Sequence, residues 1–203
     1  MCLITSQTKP LIADKDITCY KLLKKGMHSC CYDFTWELGQ LYHSRIEVEY
    51  SPYEHSTVIQ NAFHTYAFCD TVKRAYCSSA CASMIVKCTI PKGAEYYCGM
   101  HTGNDYGFAS SQLIINEIMD ITTVFKYFDW EKYPYRIGQK VKLTDYDDIT
   151  VYTIENIQPY SNYPNAVYIV LNSSNLDGET VSIVLRTDSK GKLKDKELKL
   201  EKL

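Results

Sequence analysis

The sequence predicts an α+β domain over residues 1–133 and a small β-barrel domain over 134–203. Three observations predict it. Short apolar, β-branched runs recur at 17–23, 84–90 and 113–115, as buried strands do. Only one stretch, Asp70–Ala82, has helix chemistry: Asp70 can cap the first turn, and Ala75, Ala80 and Ala82 favour the helix. Beyond residue 136 there is no Cys, and β-rich runs alternate with turn residues at regular spacing.

Taken in order, residues 1–16 are a lead-in. Ile17–Leu23 reads as the first strand, ended by Lys24, Lys25 and Gly26. Residues 27–56 are mixed, with Trp36, Gly39 and several Tyr, and predict short strands and irregular loops. Thr57–Tyr66 reads as a strand or a strand and turn. After the helix, Met84–Ile90 is a strand punctuated by Pro91, Lys92 and Gly93, since Pro cannot donate to a ladder and Gly permits a turn. A Gly-rich loop with Gly99, Gly103, Asn104, Asp105 and Gly107 is expected next, as a lid or an ordinary connection, before the strand at Leu113–Ile115. Residues 118–135 carry Phe125, Tyr127, Phe128, Trp130, Tyr133 and Tyr135, a short packed segment ending near Pro134.

The second domain begins with a strand at 136–143, and 151–157, 167–171 and 181–185 follow. Turns are expected at 162–165, 177–178 and 189–192. The charged, alternating end from Lys192 reads as an edge strand or a frayed tail.

Composition narrows the function classes. A hydrophobic content of 45% allows a real core. The net charge of −2 supplies no basic footprint and argues against nucleic acid and membrane partners. The nine Cys, with no apolar leader over residues 1–16, read as free thiols in a reducing cytoplasm. The 18 Tyr suit strand faces and wet binding surfaces alike. No run approaches transmembrane length.

Two resemblances add to this. The Met-Cys-Leu start and the Ile-Pro-Lys-Gly-Ala-Glu-Tyr-Tyr block at 90–97 resemble an uncharacterised family of gut anaerobes and their phages, over roughly residues 1–120. The order of blocks also resembles the ADP-ribosyltransferase fold: Cys19-Tyr20-Lys21, then Phe63-His64-Thr65-Tyr66, then Ile90-Pro91-Lys92-Gly93, then Ser110-Ser111-Gln112 before Leu113. That likeness implies a split β core and a nucleotide cleft built from Tyr20, Lys21, His64, Thr65, Tyr66, Ser110 and Gln112. The family places a catalytic Glu where Gln112 stands, and Arg where Lys21 stands. A neutral amide supplies no anion for a cationic transition state, and Lys lacks the planar fork of Arg. The resemblance therefore implies binding rather than NAD cleavage, with a divergent transferase as the alternative. It implies a nucleotide-derived ligand, such as a host defence signal held by a phage-associated protein, or a host protein partner. A structural role in a virion or complex is a third reading. The second domain is similar to SH3-like barrels in its strand-and-turn spacing.

Each candidate has a plainer use. His64 and Tyr66, two apart on a strand, share one face and can stack on a base or simply half-bury. Glu95 can be a base or a solvated turn residue. Cys77 with Cys81, and His28 with Cys30 and Cys31, lack the paired spacing of structural zinc, so no metal and no cofactor is expected. Cys2 lacks the rest of an N-terminal nucleophile pattern, and no P-loop or dinucleotide fingerprint is present. In the second domain Tyr146, Tyr152, Tyr160 and Tyr163 are contact candidates or packing residues.

Overall fold

The computed structural model describes residues 2–51, 56–79, 82–101, 105–145, 148–159, 166–174, 180–195 and 198–203. In chain order its elements are β1 (Leu3–Thr5), β2 (Leu11–Ile12), β3 (Ile17–Lys24), β4 (His28–Ser29), β5 (Leu41–His43), β6 (Glu47–Ser51), β7 (Ser56–Asn61), β8 (Phe63–Tyr66), α1 (Cys69–Ser78), β9 (Met84–Ile90), β10 (Glu95–His101), β11 (Asp105–Ser110) and β12 (Gln112–Ile118). They continue with α2 (Ile121–Val124), β13 (Lys140–Asp145), β14 (Asp148–Pro159), β15 (Val167–Ser174), β16 (Thr180–Thr187) and β17 (Leu198–Lys202). Two compact units result: Met1–Tyr76 with Cys81–Ile121, and Cys77–Ala80 with Thr122–Leu203. The fold is mostly antiparallel β, in curled, half-barrel sheets.

The first unit is built on one sheet in the order β5-β12-β9-β3-β8-β11-β10-β1-β7-β6, with β2 beside β10 and β4 beside β3. Its middle is thin. β3 pairs with β9 from Ile17↔Ile90 to Leu23↔Met84, but with β8 only at Tyr20↔Tyr66. Paired residues share a face and neighbours along a strand alternate, so the register assigns the cores. Cys19, Leu23, Val86, Cys88, Ile90, Leu113 and Ile115 bury one face of β3, β9 and β12. Leu3, Ile59, Tyr97 and Ala109 bury the opposite face of β1, β7, β10 and β11. Right-handed strand twist lets one continuous sheet curl in this way and close a core on each side.

Several expected features take a different form. The Gly-rich loop is largely the hairpin β10–β11, with Gly99 directly opposite Gly107; Gly103 and Asn104 lie outside the described residues. Both paired glycines serve close approach rather than a mobile lid. A Cβ on Gly99 would sit 2.2 Å from Ile4 O, and one on Gly107 would sit 2.2 Å from both Thr65 O and His101 Nε2. Gly107→Ala is therefore expected to cost about 3 kcal/mol, the upper range for overpacking, read by urea denaturation. His101→Ala in the same chain should recover only part of it, because Thr65 O remains; a loss under about 0.5 kcal/mol would remove the close-packing account.

The Thr57–Tyr66 run is two strands, β7 and β8, separated at Ala62. The helix ends at Ser78, short of Ala82. Asp70 lies inside its first turn, where its carboxylate accepts from Lys73 Nζ at 3.0 Å.

The second unit is a curled five-stranded sheet in the order β16-β15-β14-β13-β17. The register shifts between Ile154 and Asn156, a bulge of the kind that bends a long strand. The 122–133 stretch groups with this unit, where Tyr133 Oη meets Thr187 Oγ1 at 2.6 Å in the core and Tyr127 Oη donates to Pro159 O at 3.3 Å. The expected turn near 189–192 forms on Asp188, whose carboxylate accepts from the amides of Lys190 and Lys192, each at 2.9 Å, while Gly191 adopts φ +80°. The charged end supplies the edge strand β17 against β13. Tyr152 is buried. Tyr146, Tyr160, Tyr163 and the turns at 162–165 and 177–178 lie outside the described residues.

Candidate functional site

The strands that carry the resemblance are neighbours: β3 lies between β8 and β9, and β11 lies beyond β8. Strand alternation then divides the seven candidate residues between two faces. Lys21, Thr65 and Ser110 stand on one face, since Thr65 pairs with Phe108 and Ser110 with Phe63. Tyr20, His64 and Tyr66 stand on the other. Gln112 shares that second face, but on β12, with β9 between it and β3. Gln112 is thus not grouped with Lys21 and Thr65.

The Lys21 face is the more distinctive. Lys21 Nζ donates to His64 O at 2.8 Å, bridging the split between β3 and β8. It lies 5.4 Å from the centre of the Trp36 ring, a cation–π position. Trp36 is only 4% exposed and its indole N–H has no partner. The Thr65 hydroxyl is fully buried and faces the Cys19 thiol. Among the described residues no carboxylate pairs with Lys21. Burial pushes its pKa below the ordinary lysine value, against the pull of nearby thiols, Cys88 first. A cation beside an unsatisfied N–H donor suits an anion. It offers nothing to stabilise a developing cation.

Trp36 comes from the irregular segment 30–40. That segment is held by Ser29 N to Phe34 O at 2.8 Å, Trp36 N to Met27 O at 2.9 Å, and Gly39 N to Ile115 O at 2.8 Å. Phe34 and Tyr42 each meet the Trp36 ring edge-on at 4.9 Å, and Phe63 does so at 5.4 Å. A lone Trp in an aperiodic stretch carries no pattern that assigns it to a site, and sequence reasoning missed it. The composition around it, with Phe34 two residues before, was the only signal.

On the opposite face His64 meets His101 at 5.8 Å between ring centres, and Tyr66 meets His101 at 5.3 Å. His101 Nε2 lies 2.9 Å from Thr65 O. His64 Nε2 is 3.4 Å from Gln60 O, and its Nδ1 has no partner. Burial, with Lys21 and His101 adding to it, holds the His64 pKa down to about 3. Burial lowers that of His101 also. Both imidazoles are therefore neutral at physiological pH and too enclosed to relay protons to solvent.

Ser110 is structural in its contacts: its hydroxyl donates to Gln112 O at 2.9 Å and tightens the turn from β11 into β12. Glu95 is exposed at the start of β10, and its amide donates to Ser111 Oγ at 3.1 Å. His28 Nδ1 lies 2.9 Å from Thr35 Oγ1, Cys31 is exposed, and Cys81 lies outside the described residues. Among the described residues no three His, Cys, Asp or Glu side chains converge on a metal-sized point, and no helix is long and apolar enough to cross a membrane. Compared with known proteins, this chain matches no family model, no curated protein and no solved structure.

Proposed function

We propose that the first unit is a non-catalytic binding module that holds the anionic part of a nucleotide-derived ligand at Lys21. One observation carries the reading. Lys21 is a cation with no carboxylate partner among the described residues, and the Trp36 indole N–H beside it lacks an acceptor. An uncompensated charge withdrawn from water costs several kcal/mol unless a counter-charge arrives. The single-pair junction of β3 and β8 supports the split, transferase-like core implied by the resemblance. The curled sheet of residues 122–203 supports the SH3-like reading of that region, as a docking module. The phage-associated form of the proposal, sequestration of a host signalling nucleotide in the cytoplasm, draws on the resemblance alone.

Calorimetric titration with NAD, ADP-ribose and cyclic nucleotides tests this. At least one should bind, with a change in Trp36 fluorescence because Trp36 covers Lys21. Lys21→Met should weaken binding at least tenfold, while stability stays level or rises, as when a buried charge is replaced by a similar apolar volume. No nicotinamide should be released from NAD. Flat titrations would overturn the ligand reading in favour of a protein partner or a structural component, and nicotinamide release would restore the enzyme.

A further inference from the structure

The face of the first sheet that carries Lys21 and Thr65 continues across β11 and β10. There it is not a core but a row of aromatic rings. Phe108 is the direct cross-strand neighbour of Thr65, and it is half-buried at the margin of the core that holds Trp36 and Cys19. Tyr106 follows at 6.3 Å from Phe108, edge-on, and Phe68 stacks on Tyr106 at 6.0 Å with an interplanar angle of 23°. Tyr96 closes the other side, 5.9 Å from Phe108.

The outer rings of this row are open. Phe68 is 59% exposed and Tyr106 37%. Tyr106 is nevertheless held in place by its ring contacts with Phe68 and Phe108. Oriented, exposed rings in a connected row are uncommon on a surface with nothing to cover. Charge at one end selects among occupants. The row starts one strand beyond Thr65 and two beyond Lys21, and two strand spacings are about 10 Å. A ligand with an anion at Lys21 and a planar ring on the row would satisfy both ends.

We infer that the Phe108–Tyr106–Phe68 row is a stacking platform for the base of the ligand whose anionic group Lys21 holds. The inference rests on the binding reading above and narrows it to nucleotides with an aromatic base about 10 Å from the bound anion. Base-free sugar phosphates lack the part that the row holds, and a peptide carboxylate lacks the ring.

The test uses the full chain, with ADP and ADP-ribose compared against ribose 5-phosphate. Tyr106→Ala should weaken ADP and ADP-ribose about 10-fold to 100-fold, the usual loss when one stacking partner is removed. Tyr106→Phe should retain wild-type affinity, since it keeps the ring. Phe68→Ala, at an exposed position that leaves the fold intact, should weaken both nucleotides in the same direction. Ribose 5-phosphate should bind weakly and alike to all variants. Equal affinity of wild type and Tyr106→Ala for ADP, or ribose 5-phosphate bound as tightly as ADP, would overturn the platform while leaving the anion site at Lys21 standing. Absence of binding by every ligand would overturn both. A dimer in sedimentation that disperses on Tyr106→Ala would assign the row to self-association instead.

Discussion

Trp36→Ala is expected to destabilise the protein by about 3–5 kcal/mol, the range for emptying a buried aromatic site. The ring is 4% exposed and meets Phe34, Tyr42 and Phe63 edge-on. It is also the one fully packed side chain of the run from Cys30 to Gln40. Its loss removes the cover over Lys21 and loosens the segment as well as opening a cavity. Urea denaturation followed by far-ultraviolet dichroism reads the change. Trp36→Phe should lose less, because a smaller ring still fills part of the site. Phe34→Ala, at a position 40% exposed, should cost about 1 kcal/mol. A Trp36→Ala loss below about 1.5 kcal/mol would mean that the segment re-closes without its anchor.

Acid should unfold the protein well above the carboxylate range, and His64 is the reason. Its folded-state pKa is about 3, against about 6.5 in the unfolded chain. Below pH 6.5 the unfolded state therefore binds the proton that the folded state refuses. The stabilisation is fully present above pH 6.5 and falls by up to about 1.4 kcal/mol per pH unit, until it is spent near pH 3. The total from His64 is on the order of 5 kcal/mol, and His101, lowered in the same direction, adds to it. Both groups are enclosed, so solvent screening does not discount the effect much. Stability measured between pH 7 and pH 4 in wild type and His64→Phe decides this. The variant should show a shallower slope; identical slopes would show that other groups carry the acid response.

How much of this was legible beforehand depends on the range of the interaction involved. β3, β9 and the core of β12 were readable as apolar, β-branched runs, because alternation and burial write themselves locally into a strand. The Gly-rich stretch misled. Gly99 and Gly107 look like loop residues from their own identity, yet each is demanded by an atom more than 35 residues away in sequence: Ile4 O for one and Thr65 O for the other. The candidate residues fared similarly. Lys21 and Thr65 come together because two strands pair at a single point, Tyr20↔Tyr66. Gln112 is separated from them because β12 joins the far side of β9.

By itself, then, the sequence determined the strand-rich character, one short helix, and the strands β3, β9 and β12. These follow from local backbone preference and hydrophobic period. Only the tertiary structure decided which face each candidate occupies, that Trp36 covers Lys21, and that His101 joins His64. Those outcomes depend on strand order and register, which are set by contacts between distant segments. A one-residue change of register would move every one of these side chains to the other face.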